Sequence, residues 1–345
     1  MYKACKEGRK DLVELMILDG CDEYDIYYDD GLKGACEGGH IDIIKMIKDN
    51  CRHFWCALKY ACKGGNDEVI KMILDGGETG YNWGLHGACE GGHIEIVKLM
   101  LDLGAKDYDI GLELACEGGN IAVVKMMLSV GATDFNGGLY GACKGGHLEL
   151  VKMMLDLGAN DYKWGFVYAC EEGHLEIIKM FLNRGVTEYN RELFYACNGG
   201  HLEIVNMMLS LGANDYNKGL LGACSGGHLA IVKLMLSLGA NGYNDGLQSA
   251  CTGCHIEIVK MMLDVGANDY DLLLDDDGNL ELKILYTRII AEKIDDIEDI
   301  DDIEDLKYIV NIEYYLKKEH PEYHLLKVYR NKIPDIDRLI NKYLF

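Results

Sequence analysis

An Ala-Cys dipeptide returns ten times along the chain, beginning at Ala4, Ala35, Ala61, Ala88, Ala115, Ala142, Ala169, Ala196, Ala223 and Ala250, and from Ala61 onward each step is 27 residues. A fixed period of this size restricts the fold to a solenoid, in which no unit buries its apolar face alone and stacking supplies the core. The length of 345 residues therefore sets no domain count by the scaling used for globular chains.

The stretch from Gly84 to Ala105 typifies the unit and reads as a helical hairpin. Leu85, Ala88 and Cys89 stand at i, i+3 and i+4, and Gly91-Gly92 then provides the positive-φ exit that glycine tolerates. A second helix follows, with Ile94, Val97, Met100 and Leu101 on its apolar side and Glu95, Lys98 and Asp102 opposite. Gly104 ends it. The next six or seven residues, as in Gly-Ala-Asn-Asp-Tyr from Gly158, are turn formers that leave no room for a strand pair of ordinary length. Met100, Met126, Met153, Met180, Met207, Met235 and Met261 follow the second-helix period and are assigned to the core. The expected fold class is all-α: about ten stacked helix-turn-helix units over residues 1–270, then an acidic connector and helical cap over 271–345.

The unit resembles an ankyrin repeat. Leu-His-x-Ala-Cys at Leu85 to Cys89, Gly92-His93, the run Ile-Glu-Ile-Val-Lys-Leu-Met-Leu and Gly104-Ala105 match the family's positions in order. The Thr-Pro that precedes Leu-His in the family is missing throughout, since the only prolines are Pro321 and Pro334, and the shorter period removes residues from the hairpin between repeats. Short-period arrays of this kind resemble the ankyrin proteins of giant DNA viruses of amoebae, and the bias to Lys, Ile, Asp, Asn and Tyr suits an AT-rich genome. That resemblance implies a viral protein acting in host cytoplasm.

The formal net charge of -23 and the lack of a basic stripe in any repeat argue against nucleic acid and favour a neutral or basic protein partner. Ten of the 14 cysteines occupy the position after Ala, where neighbouring helices about 8–10 Å apart exceed the roughly 7 Å a disulfide allows. They read as small buried apolar residues of a reducing compartment. Cys21, Cys51, Cys56 and Cys254 lie off this ladder without metal-site spacing. The charged start, with Lys3, Lys6, Glu7, Arg9 and Lys10, is no signal peptide, and no apolar run is long enough for a membrane span.

Repeat one is abbreviated and polar, as a terminal cap requires. The Asp22 to Asp30 loop and the aromatic junction Asn50 to Cys56 are the irregular places in the register. His40, His93, His147, His174, His201, His228 and His255 recur, with Asn66 and Asn120 substituting. Asparagine is a poor transition-metal ligand, so both residue types are assigned to loop bracing, and neither metal nor other cofactor is expected. An aromatic ladder, Tyr81, Tyr108, Phe135, Tyr162, Tyr189, Tyr216, Tyr243 and Tyr270, is assigned to packing of the shortened turn.

Functional signal is sought where the repeats disagree. By resemblance, the residue before Ala and those after the Ala-Cys pair face the groove that ankyrin proteins offer to partners. These positions include Tyr168, Tyr195, Glu171 and Asn198. The neighbouring position turns apolar at Tyr140, Val167, Phe194 and Leu221, so repeats six to eight are expected to expose an aromatic patch for a protein partner. Recurring His and Cys are tied to repeat positions and form no catalytic constellation, so no enzyme is expected. After Tyr270, Asp275-Asp276-Asp277-Gly278-Asn279 fails as a calcium loop because Leu273 and Ile284 would be ligands. Ile294 to Leu306 repeats apolar residues every third position, which makes no stable helical face. Ile333 to Leu344 resembles the opening of an F-box with its spacing off by one, which would make the chain a substrate-recruiting adaptor for a ubiquitin ligase. Self-association through the acidic stretch or the aromatic ladder stays open.

Overall fold

The structure, a computed structural model, describes residues 1–18, 26–51, 56–186 and 189–268. The acidic connector, the helical cap and the F-box-like stretch lie outside these residues, as do most of the two irregular junctions. Among the described residues are twenty α-helices, in ten successive pairs. The first helices are α1 (Tyr2–Lys6), α3 (Ile26–Gly38), α5 (Ala57–Gly64), α7 (Tyr81–Gly91), α9 (Tyr108–Glu117), α11 (Phe135–Gly145), α13 (Tyr162–Glu172), α15 (Asn190–Gly199), α17 (Tyr216–Gly226) and α19 (Tyr243–Thr252). The second helices are α2 (Lys10–Leu18), α4 (Ile41–Ile47), α6 (Asp67–Asp75), α8 (Ile94–Asp102), α10 (Ile121–Val130), α12 (Leu148–Asp156), α14 (Leu175–Leu182), α16 (Leu202–Ser210), α18 (Leu229–Ser237) and α20 (Ile256–Asp264). The described residues divide into two compact units: those of Met1–Ala196 with Glu203–Leu211, and those of Cys197–Leu202 with Gly212 to Asn268.

The inner pairs bury the same set. In α7 it is Leu85, Ala88 and Cys89, and in α8 Ile96, Val97 and Met100. A large apolar side chain removed from water in this way contributes about 1.5–3 kcal/mol. One methionine register is corrected. Met100 and Met235 are buried as expected, but α10, α12, α16 and α20 bury Met127, Met154, Met208 and Met262, and α14 buries Phe181. Met126, Met153, Met180, Met207 and Met261 are half-buried. The buried residue keeps the strict repeat register from Met100, and adjacent methionines hid which of the two did so.

The turn between pairs is shorter than the sequence suggested, because Tyr81, Tyr108, Phe135, Tyr162, Tyr216 and Tyr243 each open a first helix. Tyr28, Asp29 and Asp30 likewise belong to α3 and not to a loop. The residue after the aromatic holds this tight connection. Asn82 Oδ1 accepts the backbone N–H groups of Lys106 and Asp107 at 2.7 and 3.4 Å. Asp109 does the same for Thr133 and Asp134 at 2.6 and 2.9 Å, and Asn136 for Asn160 and Asp161 at 2.9 and 3.0 Å. In the second unit Asn217 binds the N–H groups of Asn241 and Gly242 at 2.7 and 3.0 Å. One side chain thus satisfies two loop donors of the following repeat, which a hairpin ladder would otherwise have to satisfy.

The opposite turn is braced by the histidine ladder. His93 Nε2 lies 3.0 Å from Lys63 O, His147 Nε2 3.0 Å from Glu117 O, His174 Nε2 2.9 Å from Lys144 O and His255 Nε2 3.0 Å from Ser225 O. Asn66 Nδ2 donates to Glu37 O at 2.9 Å from the equivalent place. The ring needs glycine beneath it: Gly146 has φ +77, and a Cβ there would lie 2.5 Å from His174 Cε1. The Gly-Gly-His signature therefore combines a helix exit with a close contact to the next repeat.

Candidate protein-interaction surface

The first helices bury one side and leave other positions open to solvent. In α13 the buried set is Phe166, Val167, Ala169 and Cys170, while Trp164, Tyr168 and Glu171 retain exposure. Trp164 is 42% exposed. Its ring centroid lies 6.3 Å from Tyr168, and Tyr168 lies 6.2 Å from Tyr140 of α11. The guanidinium of Arg191 stands 5.3 Å from the Trp164 ring, and its Nη2 donates to Lys163 O at 2.9 Å. Arg191 also pairs with Glu192 at 3.1 Å, a carboxylate buried where most other repeats carry glycine. The result in the first unit is a cluster of three aromatic rings with a fixed cation at its edge.

Tyr140 is held as well as stacked. Its hydroxyl donates to Asp161 Oδ2 at 2.5 Å, and burial, then this contact, pushes the phenol pKa up. Asp161 stands just before α13, where it could cap the helix, but its carboxylate serves the tyrosine instead. In the preceding repeat the same helix position is Glu113, which cannot donate, and Asp134 there caps its own helix at Gly137 N, 2.9 Å away. Burial, then repulsion from Glu117 and Asp134, raises the Glu113 pKa. One repeat earlier still the position is His86, 6% exposed, whose Nε2 lies 3.3 Å from Asp107 Oδ2. Burial lowers its pKa against the opposing pull of Asp107.

Val167 does not belong to an exposed surface: it is 0% exposed. At this position a long side chain such as Tyr140 reaches past its neighbours, whereas valine is too short to do so. Phe194 and Tyr195 are half-buried, with ring centroids 5.0 Å apart and planes at 89°. Glu171 is half-buried on the same helix as Tyr168. Asn198 and Leu221 lie in the second unit; the backbone carbonyl of Asn198 accepts from His228 Nε2 at 2.9 Å, and Leu221 is half-buried. Trp164 and Arg191 were not singled out in the sequence. Their signal was present: the same repeat position reads Trp83, Ile110, Gly137, Trp164 and Arg191, as variable as those chosen.

Residues 112–192, 139–218 and 193–272 match the family described as ankyrin repeats (3 copies). Over residues 112–272 the chain is similar to ankyrin repeats. Among solved structures, the human ASB11 ankyrin repeat domain is similar at 23% identity and a TM-score of 0.36, over 53% of this chain and 98% of that one. No curated protein matches the chain.

The repeats are not equivalent along the first unit. Gly34, Gly87 and Gly141 precede Ala in every second repeat, and a Cβ on them would lie 2.2 Å from Tyr2 O, 1.9 Å from Lys59 O and 2.1 Å from Glu113 O. Tyr60, Leu114 and Tyr168 fill the alternate repeats. The tight junctions also carry the ion pairs. Lys6 meets Glu37 at 2.8 Å, Lys63 meets Glu90 at 2.6 Å and Lys144 meets Glu117 at 2.8 Å. Tight and loose junctions thus alternate from repeat one to repeat seven, and the bulky side chains stand at the loose ones.

The cysteines that follow Ala in each repeat are buried and free. Burial pushes the thiols of Cys62, Cys89, Cys116, Cys197, Cys224 and Cys251 up to about 12, which suppresses the thiolate needed for nucleophilic or metal chemistry. Among the described residues no group of His, Cys, Asp and Glu could hold a metal ion, and no helix is long and apolar enough to cross a membrane.

Proposed function

We propose that the chain is a non-enzymatic scaffold that binds a partner protein through the exposed face of its first helices, centred in the first unit on Tyr140, Trp164, Tyr168 and Arg191. Ankyrin repeats are generally protein–protein interaction modules. The observation that carries the reading is the exposed Trp164 packed beside Tyr168 with the Arg191 guanidinium over its ring, since aromatic and arginine side chains in a packed cluster are the usual anchors of an interface. A chain of net charge -23 selects a partner surface that is not itself strongly acidic. The resemblance to short-period ankyrin proteins of giant viruses directs the search to amoebal lysate and to host cytoplasmic proteins.

The test is capture from that lysate by the intact chain and by a Tyr168→Ala, Tyr195→Ala double variant of equal helical content. A specific protein retained by the first and lost by the second is expected. Identical captured proteins from both would remove this face as the site.

A further inference from the structure

Resting on that reading of the first-helix face, the alternation of junctions specifies what kind of segment the face accepts. Tyr60, Leu114 and Tyr168 are half-buried and occupy one position in every second repeat. Between them Gly87 and Gly141 are buried and present no side chain, so a bulky residue recurs at this position only in every second repeat, Tyr168 being flanked in addition by Tyr140 and Trp164. Adjacent helices pack about 8–10 Å apart, which separates the anchors by about 16–20 Å. An extended chain rises about 3.3 Å per residue and turns only even-numbered neighbours to one side. Four residues span about 13 Å and six about 20 Å, so six is the even spacing that meets the anchors.

Charge divides the same face lengthwise. Over repeats one to three it carries Lys3, Lys6, Lys33, Lys59 and Lys63 against Glu7, Asp30 and Glu37. Over repeats four to seven the balance inverts, with Glu90, Glu113, Glu117, Glu171 and Glu172 against Lys144. Lys6, Lys33 and Lys63 are paired with Glu37, Asp30 and Glu90, so the excess positive charge at this end is small and centres on Lys3 and Lys59; a complementary segment is acidic at that end and basic at the other.

We infer that the first unit binds an extended polypeptide segment of another protein, with apolar side chains about six residues apart and acidic residues toward repeats one to three. Tyr60, Leu114 and Tyr168 each receive one apolar side chain. A helical ligand would meet the same anchors only with apolar residues about eleven positions, or three turns, apart, so a preference for the six-residue spacing separates the extended from the helical mode.

Fluorescence anisotropy on the full-length chain tests this with synthetic peptides of one composition, carrying three leucines about five, six or seven residues apart. In one series the acids and lysines are segregated, in both orders, and in another they are interleaved. A segregated peptide with the six-residue spacing should bind about tenfold tighter than the other spacings or the interleaved charges, and lose the charge preference in high salt. Tyr60→Ala, Leu114→Ala and Tyr168→Ala should each weaken it about tenfold at unchanged melting temperature, while Tyr60→Phe retains binding. Equal binding at all spacings, or binding of none, would overturn the inference. Loss through Tyr168→Ala alone would also overturn it while leaving the protein-binding face in place, whereas unchanged lysate capture by the double variant removes the face itself.

Discussion

Cys254 is the one non-glycine residue among those described whose backbone enters the left-handed region, at φ 56. In the inner repeats a Cβ here is doubly excluded, by the backbone and by the next repeat's His or Asn side chain, as at Gly146 beneath His174. At Cys254 the side chain stands at the cost of that left-handed backbone conformation. Replacing Cys254 by glycine is expected to stabilise the protein by about 1 kcal/mol, the low end of the cost of such a conformation, read as a higher urea midpoint. Exposed Cys254 should also be the described thiol that iodoacetamide labels first, well ahead of the buried ladder. His86 makes a different prediction. Its folded pKa lies below the ordinary 6.5, so neutral imidazole is favoured, and its contribution is present above that value and lost as pH falls through the lowered one. His86→Tyr would reproduce the Tyr140–Asp161 contact with a group that does not titrate there. The melting temperature of the variant should therefore fall less than that of the wild type between about pH 7 and pH 5.

At the scale of the element, the connection between repeats depends on one acceptor. Asn136→Ala leaves the N–H groups of Asn160 and Asp161 without their partner and should cost about 1–2 kcal/mol in urea unfolding. Asn136→Asp should cost far less, since Asp109 already performs this task in the preceding repeat. These clasps were not legible in the sequence, because donor and acceptor lie 24 or 25 residues apart and no local pattern marks them. Leu85, Ala88 and Cys89, by contrast, declare their helix by spacing within one turn, and glycine at Gly92 declares its end by the φ it must adopt. The candidate site was legible in part for the same reason. Tyr140 and Tyr168 stood out as variable positions, but burial of Val167 depends on side-chain length relative to neighbours, and the stacking of Arg191 on Trp164 joins two repeats.

For the molecule as a whole, charge sets what it avoids. A net charge of -23 should leave no measurable affinity for duplex DNA in a gel shift, even at low salt where counterion release most favours binding. A repeat-by-repeat pattern was readable over this length because each unit answers mainly to its neighbours. The alternation of Gly34, Gly87 and Gly141 with Tyr60, Leu114 and Tyr168 has a further consequence for how such a chain can change length in evolution. A tight junction needs its glycine in one repeat and its lysine and glutamate shared between two, so the heritable module is a pair. Duplicating or deleting a pair restores every junction, whereas a single unit gained or lost sets two junctions of one kind side by side. Tyr168 and Tyr195, consecutive bulky residues where the alternation calls for glycine, mark where that rhythm lapses.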